Sequence, residues 1–154
     1  HGRGLWAAVG WRRCLVPANG FYEWTGKTGA KLPHLIRAKA GGLVGFGGLW
    51  EHWLGADGSE FESMAILTVA ANATAGQVHD RMPLILAPSD FDAWLDVTPG
   101  SALPIEDLLR PAPEDLLEVV RVSPKLNNSR YDSADLIEVV SGPIDRSEPQ
   151  KSLF

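Results

Sequence analysis

Short apolar runs separated by glycine, asparagine and proline dominate the first two-thirds of the chain. Runs of this length between turn-forming residues are typical of β-strands. They predict strands at Cys14–Val16, Gly20–Trp24, His34–Ala38, Leu43–Trp53 and Ser63–Ala71. The segments Pro17-Ala18-Asn19-Gly20 and Lys27–Lys31 contain glycine beside turn-forming residues and predict turns between the early strands.

The last third of the chain carries the helix signals. Ser89 is a candidate N-cap for a helix over Asp90–Asp96, and Leu103–Arg110 is bounded by prolines. Two further runs, Leu117–Val122 and Leu136–Val140, predict strands, and residues 142–154 predict a loose tail. Many short strands with two or three helices indicate an α+β fold with a curled, barrel-like sheet, mixed or antiparallel. A length of 154 residues favours a single domain, 1–154.

The composition narrows the class of protein. Hydrophobic residues make up 45% of the chain and charged residues 21%, as in globular proteins. The apolar runs are much shorter than the ~20 residues of a membrane helix, and the single cysteine, Cys14, cannot form an internal disulfide. We therefore expect a cytoplasmic protein without membrane contact. The histidines and Glu51 show no metal-ligand spacing, so we expect no metal ion and no cofactor.

Charge is distributed unevenly along the chain. The formal net charge is −5, yet residues 1–40 hold seven basic residues and one acidic residue, a net +6 that leaves −11 for the remainder. The same segment is rich in aromatic residues. Basic residues contact phosphates and aromatic rings stack on unpaired bases, so the segment indicates a groove for single-stranded nucleic acid, with Arg13 and Trp24 as candidate contacts. The alternative, a core of aromatic residues beneath a solvated basic face, stays open.

Three titratable side chains are candidates for chemistry. Glu23 is the one acidic residue of the basic segment and shares a strand face with Phe21, so enclosure would raise its pKa. His79 lies in a predicted loop, where an imidazole can exchange protons near neutral pH, and Arg81 follows at a spacing that suits phosphate contact. Cys14 follows two arginines, which would lower a thiol pKa. It nevertheless lies inside a predicted strand, and we interpret it as a packing residue.

Four segments of the chain together resemble one protein family. They are RRCLVPANGFYEW, GFGGLWEHW, LTVAANATAGQVHDRMPLIL and VSPKLNN, the last followed by DLIEVV. They resemble the SRAP family, the SOS-response-associated peptidase-like proteins that process abasic sites in single-stranded DNA. The resemblance runs in order from about Leu5 to Val140, and GFYEW and HDRMP are its most specific blocks. It implies an SRAP-like fold and single-stranded DNA containing abasic sites as the partner.

The resemblance also implies a role for each matched residue. Family members use the amine and thiol of an N-terminal cysteine to attack the ring-opened sugar aldehyde, which forms a covalent thiazolidine link. Glu23 matches the glutamate that assists proton transfer, and His79 matches the histidine that helps to open the sugar. Arg81 matches an arginine that holds phosphate, and Trp24 matches a tryptophan beside the DNA. Thr68 matches a further residue near the nucleotide.

The chain departs from the family pattern at its start. The opening Met-Cys-Gly-Arg and an Asn-Ala-Arg motif are missing, and His1-Gly2-Arg3 stands too close to Arg12 to be their equivalent. We expect a member shortened by truncation, a misassigned start or proteolysis, rather than a naturally degenerate one. Such a chain would bind DNA without a covalent adduct and would expose a sheet edge that favours self-association. A cysteine hydrolase using Cys14, His79 and Glu23, or a non-catalytic DNA-binding module, are the alternative functions.

Overall fold

The computed structural model describes residues 10–98 and 105–140, and most of the regular structure in these residues is β. The strands are β1 (Arg13–Ala18), β2 (Gly20–Thr25), β3 (Leu32–Ala38), β4 (Val44–Leu54), β5 (Glu60–Ile66), β6 (Thr68–Ala70), β7 (Arg81–Pro83), β8 (Ile85–Leu86) and β9 (Leu117–Arg121). An α-helix, α1, spans Phe91–Leu95. Short 3-10 helices occupy Ala75–Gln77, Pro88–Asp90, Ile105–Leu108, Pro124–Asn127 and Ala134–Ile137. No helix in these ranges has the length and apolar character to cross a membrane.

The α+β class predicted from the sequence is confirmed. The described strands form three sheets, ordered β1-β4-β5 with β8 beside β4, β2-β3-β9, and β6-β7. The registers of β2 with β3, β3 with β9, and β4 with β5 and β8 are all antiparallel. None of these described sheets closes on itself, so the curl expected from the sequence does not reach a closed barrel.

The chain divides into two compact units, each assembled from three chain segments. The first unit contains the described residues of His1–Pro17, Gly45–Val69 and Pro83–Ala112, and the second contains those of Ala18–Val44, Ala70–Met82 and Pro113–Phe154. The single domain expected over residues 1–154 stays a prediction. The loose tail predicted at 142–154 lies outside the described residues.

Close packing around Trp94 and the glycines of β4 organises the first unit. Trp94 is fully buried in α1, and its Nε1 donates a hydrogen bond to the Cys14 carbonyl oxygen at 2.8 Å. A Cβ atom on Gly47 would lie 2.7 Å from the Leu84 side chain and 3.2 Å from the Trp94 ring. Glycine at this position therefore allows the backbone of β4 to approach both side chains closely.

Strand β5 is an edge of the first unit's sheet in the described part of the chain. All of its residues are exposed, including the apolar side chains of Phe61 and Met64. Edges of this kind can pair with a second chain. Self-association through a sheet edge stays a prediction.

The second unit centres on sheet β2-β3-β9. The predicted turn Lys27–Lys31 joins β2 to β3, and within it the Ala30 N–H donates to the Lys27 carbonyl at 2.9 Å. Strand β3 lies in the middle of the sheet and is largely buried. Because alternate side chains of a strand point to opposite faces, Glu23 and Trp24 lie on opposite faces of this sheet.

Two apolar runs and one helix start differ from the sequence-based predictions. The run Ser63–Ala71 is divided into β5 and β6 at Leu67, whose N–H leaves the ladder and donates to the Gly47 carbonyl at 3.0 Å. The run Leu136–Val140 is not a strand: its first two residues end the 3-10 helix Ala134–Ile137, and only Val139 forms an isolated bridge, with Val122. Only its first side chain is buried, and its residues lack the alternation of a half-buried strand. Ser89 does not cap α1, since it lies within the preceding 3-10 helix, Pro88–Asp90.

Candidate functional site

Glu23 lies in the middle of β2 and is half-buried. Burial raises the pKa of its carboxyl group, and the charge of His79, the Trp24 amide and the charge of Lys31 offset part of that effect. The neighbouring Asp80 acts in the same direction as burial. A carboxyl group with a raised pKa keeps its proton to higher pH than an ordinary glutamate, which suits it to proton transfer.

The segment before His79 is held by hydrogen bonds of the Asn72 side chain. The Asn72 side-chain oxygen accepts from the Ala75 N–H at 2.9 Å, where the 3-10 helix Ala75–Gln77 begins. The Asn72 amide group donates to the Pro113 carbonyl at 3.3 Å, which ties this turn to a distant part of the chain. The His79 N–H then donates to the Ala75 carbonyl at 3.1 Å. These bonds give the histidine backbone a defined position.

The His79 ring is held on one side by its own neighbours. Its Nδ1 accepts from the Arg81 backbone N–H at 2.9 Å and lies 3.3 Å from a carboxylate oxygen of Asp80. The Arg81 carbonyl oxygen also lies 3.2 Å from Nδ1, so the backbone of Arg81 can either donate to an unprotonated Nδ1 or accept from an Nδ1–H, according to the tautomer of the ring. The side chain is 15% exposed, so it can reach solvent or a ligand.

The structure places Glu23 and His79 in the same unit and close enough for the imidazole charge to lower the pKa of the carboxyl group. The two residues come from different elements, β2 and the loop before β7. This is the pairing that the sequence analysis expected. The catalytic roles of the two residues stay predictions.

Trp24 borders a cavity of about 550 Å³ in the second unit. Its indole Nε1 donates to Asn127 Oδ1 at 2.8 Å, and Asn127 Nδ2 donates to the Lys31 carbonyl at 2.9 Å. The cavity is lined by Trp24, Gly29, Lys31, Leu126, Asn127 and Ser129. An aromatic wall beside a lysine is the combination that holds an unpaired base and its phosphate.

Replacing Asn127 by alanine is expected to release the Trp24 indole. The variant loses both side-chain hydrogen bonds, which together contribute on the order of 0.5–1.5 kcal/mol at an exposed position. In a ¹⁵N–¹H spectrum we expect the Trp24 indole resonance to move and its hydrogen exchange to accelerate. Asn128→Ala is the matched control, because the Asn128 side chain accepts from the Arg130 N–H instead. An unchanged indole resonance in N127A would contradict this geometry.

Arg13 is not placed as a DNA contact requires. It is 7% exposed, and its guanidinium donates to the carbonyls of Trp94 and Asp96 and lies 5.7 Å from the centre of the Trp94 ring. A guanidinium engaged in this way is not available to phosphate, so we leave Arg13 out of the candidate interface. Thr68 is exposed in β6 and Arg81 is half-buried at the start of β7. Their predicted DNA contacts stay predictions.

Cys14 behaves as a packing residue. It is half-buried in β1, and burial raises the pKa of its thiol. Reactive cysteines have lowered pKa values, because the thiolate is the nucleophile. The structure therefore gives no support to a cysteine hydrolase that uses Cys14.

Sequence reasoning gave no individual role to three residues of this region. His34 was considered only with the other histidines as a metal ligand, and Lys31 and Asn127 only as parts of a turn and a motif. In the described residues, no group of three or more His, Cys, Asp or Glu side chains is placed to hold a metal ion. The available signal was register: the predicted hairpin already brings His34 opposite Glu23.

The sequence is similar to one protein family and to several curated proteins. Residues 3–129 match the family model described as SOS response associated peptidase (SRAP). The abasic site processing protein YoqW of Bacillus subtilis (strain 168) is 35% identical over 130 residues, which cover 82% of this chain and 57% of that protein. The abasic site processing protein HMCES of Xenopus tropicalis is 30% identical over 149 residues, which cover 84% of this chain and 44% of that protein.

Solved structures show the same likeness. A crystal structure of a protein from Bacteroides thetaiotaomicron matches with a TM-score of 0.74 and 25% identity, over 87% of this chain and 60% of that one. A phage-related protein from Bordetella bronchiseptica matches with a TM-score of 0.57 and 33% identity, over 79% and 58% of the two chains. The chain spans about half the length of the curated relatives it matches. On the extent of the family match, this chain belongs to the SOS response associated peptidase (SRAP) family.

Proposed function

We propose that this protein processes abasic sites in DNA as part of the response to DNA damage. In this proposal it binds single-stranded DNA around the lesion and uses Glu23 and His79 for proton transfer. The observation that carries the proposal is the placement, in one unit, of the half-buried Glu23 carboxyl group within electrostatic reach of the His79 imidazole, whose ring is held at Nδ1 by the backbone of Arg81. The names of its relatives, which are abasic site processing proteins, support the same substrate.

The chemistry of an abasic site needs both an acid and a base. The opened sugar presents an aldehyde, an amine adds to its carbon, and loss of water gives an imine to which a thiol can add, closing a thiazolidine. An α-amine with a pKa of about 8 is largely protonated at neutral pH, so a base must first take its proton. Glu23 is suited to this step, and the protonated carboxyl group or the Nε2–H of His79 can then protonate the departing hydroxyl.

The cavity beside Trp24 suits the nucleotides that flank the lesion. A site without a base offers nothing to stack, so neighbouring bases and phosphates must position it. The Trp24 ring can stack on an unpaired base, and Lys31 on the same cavity can contact phosphate. From the family resemblance we assign Arg81 to phosphate as well, and Thr68 to the nucleotide.

We expect reversible binding to single-stranded DNA and no thiazolidine adduct through Cys14. That residue, the one cysteine of the chain, lies inside β1, where it is not an N-terminal nucleophile. Phosphate contacts release counterions, so the affinity should fall as salt is raised. A denaturing gel after incubation with an abasic oligonucleotide checks for the adduct, and a band that survives denaturation would contradict this expectation.

Replacing Trp24 by alanine tests the proposed interface. Fluorescence anisotropy with a labelled single-stranded oligonucleotide carrying one abasic site gives the affinity. Losing one stacked base costs about 1–3 kcal/mol, so binding should weaken by about 5- to 150-fold. Trp53→Ala is the control, because that ring is 54% exposed in the first unit. Wild-type affinity in W24A, or equal affinity of the wild type for undamaged duplex DNA, would refute the proposed interface.

A further inference from the structure

His34 lies at the centre of the sheet face that carries Glu23. It occupies the middle strand β3, directly opposite Glu23 on β2 and directly opposite Arg121 on β9. Directly opposed residues of antiparallel strands project from the same face with Cβ atoms about 4.5–5.5 Å apart. Three ionisable side chains therefore form one row across the second unit's sheet.

The polar atoms of this row are buried without ordinary partners. His34 is 0% exposed, and within the described residues neither ring nitrogen makes a hydrogen bond of standard geometry. The Thr25 hydroxyl, on the same face of β2, and Arg121 Nε are in the same situation. Buried polar groups nearly always have a partner, and leaving one unpaired costs about 1–3 kcal/mol. An apolar side chain of similar size would avoid this cost, so packing alone does not account for an imidazole at this position.

The surroundings keep the His34 ring uncharged. Burial lowers its pKa and Arg121 acts in the same direction, while the nearby carbonyl groups of Leu32 and Glu23 offset part of the effect. A neutral imidazole has one nitrogen that donates and one that accepts, so it can link two polar neighbours without bringing a second positive charge beside Arg121. The charged and titratable groups around the Glu23–His34 pair are Arg121, His79, Lys31 and Asp80.

We propose that His34 is a positioning residue for Glu23: its neutral ring hydrogen-bonds across the buried sheet face and holds the Glu23 carboxyl group in the orientation that serves His79. Because neither ring nitrogen of His34 has a direct partner among the described residues, the link runs through an internal water, for which His34, Thr25 and Arg121 supply the several polar partners that such a water needs. Glu23 then lies between two imidazoles with different tasks. His79 is partly exposed and faces the reaction, whereas His34 is buried and stays neutral. The role of His34 in catalysis rests on the proposed function, but its interaction with Glu23 can be measured without DNA.

The first measurement uses the wild-type protein. The ¹⁵N shifts of the His34 ring report its tautomer, and the ¹³C shift of the Glu23 carboxyl group reports that group's titration. We expect His34 to remain neutral through the titration and its ¹⁵N shifts to move with the midpoint of Glu23. In Glu23→Gln that movement should disappear. His34 shifts that do not respond to Glu23, or a ring that becomes protonated in this range, would overturn the proposal.

Two substitutions separate hydrogen bonding from packing. His34→Phe keeps the bulk of the ring and removes both nitrogens, so the Glu23 carboxylate loses polar support and its pKa should rise above the wild-type value. His34→Gln keeps a donor and an acceptor and should return the pKa of Glu23 toward wild type. His52→Phe is the control, because His52 is exposed on β4 in the first unit.

The Glu23 pKa in the two His34 variants tests whether His34 positions the carboxyl group. A Glu23 pKa raised in H34F and restored in H34Q supports the proposal. A Glu23 pKa that is unchanged in folded H34F, or shifted equally in H34F and H34Q, would overturn it. Thermal unfolding shows which variants fold, and the wild-type titration remains decisive if H34F does not fold. None of these readouts involves DNA, so a failure of the proposed function would leave them unaffected and would be seen in the binding experiment instead.

Discussion

Replacing Glu23 by glutamine is expected to slow the capture of a bound abasic site by free cysteine about 10²-fold or more. Free cysteine carries the same amine and thiol as an N-terminal cysteine and forms a thiazolidine with the sugar aldehyde, releasing water. If Glu23 and His79 transfer the protons, the protein should accelerate this reaction. Removing one general acid–base group typically costs about 10²–10⁴-fold. Quenched time points separated on a gel, with the oligonucleotide saturated by protein, give the rate.

The same variant should be more stable than the wild type at neutral pH. Burial raises the folded-state pKa of Glu23, so the folded protein binds this proton more tightly than the unfolded chain does. The contribution of Glu23 to stability is therefore fully present below its unfolded pKa, about 4.3, and is lost as pH rises through the folded pKa. Glutamine does not ionise, so the Tm of E23Q should exceed that of the wild type increasingly as pH rises.

Two controls test whether the effects of E23Q are specific to the Glu23 carboxyl group. Glu62→Gln changes an exposed carboxyl group on β5 and should leave the capture rate unchanged. Anisotropy should show that E23Q still binds the oligonucleotide, so that the slower capture reflects chemistry. Equal capture rates with wild-type protein, with E23Q and without protein would favour the non-catalytic DNA-binding module. A Tm difference that is constant with pH would contradict the raised pKa.

The part of the site that is local in sequence could be predicted. Short apolar runs and a glycine-containing turn predict the β2–β3 hairpin, and the alternating direction of side chains along a strand gives the faces of Glu23 and Trp24. The family resemblance supplied the pairing of Glu23 with His79. Alternation also placed Glu23 beside apolar neighbours, which is why a raised pKa could be anticipated.

The parts that depend on distant contacts could not be predicted. The carbonyls that engage Arg13 belong to residues 81 and 83 positions away, so the basic character of the segment gave no sign that this guanidinium is buried. Asn127 meets Trp24 across a separation of 103 residues. In Leu136–Val140 the apolar composition suggested a strand, but the chain buries only Leu136 and exposes Ile137 and Val139. The apolar composition of a segment shows that its side chains can be buried, but tertiary contacts decide which of them are.

Replacing Trp94 by alanine is expected to destabilise the protein by about 3–5 kcal/mol. Trp94 is 0% exposed, and it combines three interactions of the first unit. Its ring packs where Gly47 lets β4 approach, its Nε1 binds the Cys14 carbonyl, and its face lies beneath the Arg13 guanidinium. Alanine leaves a large cavity and removes all three. Since small domains have total stabilities of about 5–15 kcal/mol, much of the chain could unfold at moderate temperature. Urea denaturation measures the loss.

Comparing three variants shows which of these interactions matters most. Trp94→Phe keeps an aromatic ring for Arg13 but leaves the Cys14 carbonyl without its donor, which should cost about 1–3 kcal/mol. Trp53→Ala removes a ring that is 54% exposed and should cost about 1 kcal/mol or less, although that ring lies 5.8 Å from Phe61. If W94A cost no more than W53A, the packing described for α1 and β4 would be wrong. The Arg13 guanidinium would lose the Trp94 ring in W94A but would keep its backbone acceptors, the carbonyls of Trp94 and Asp96.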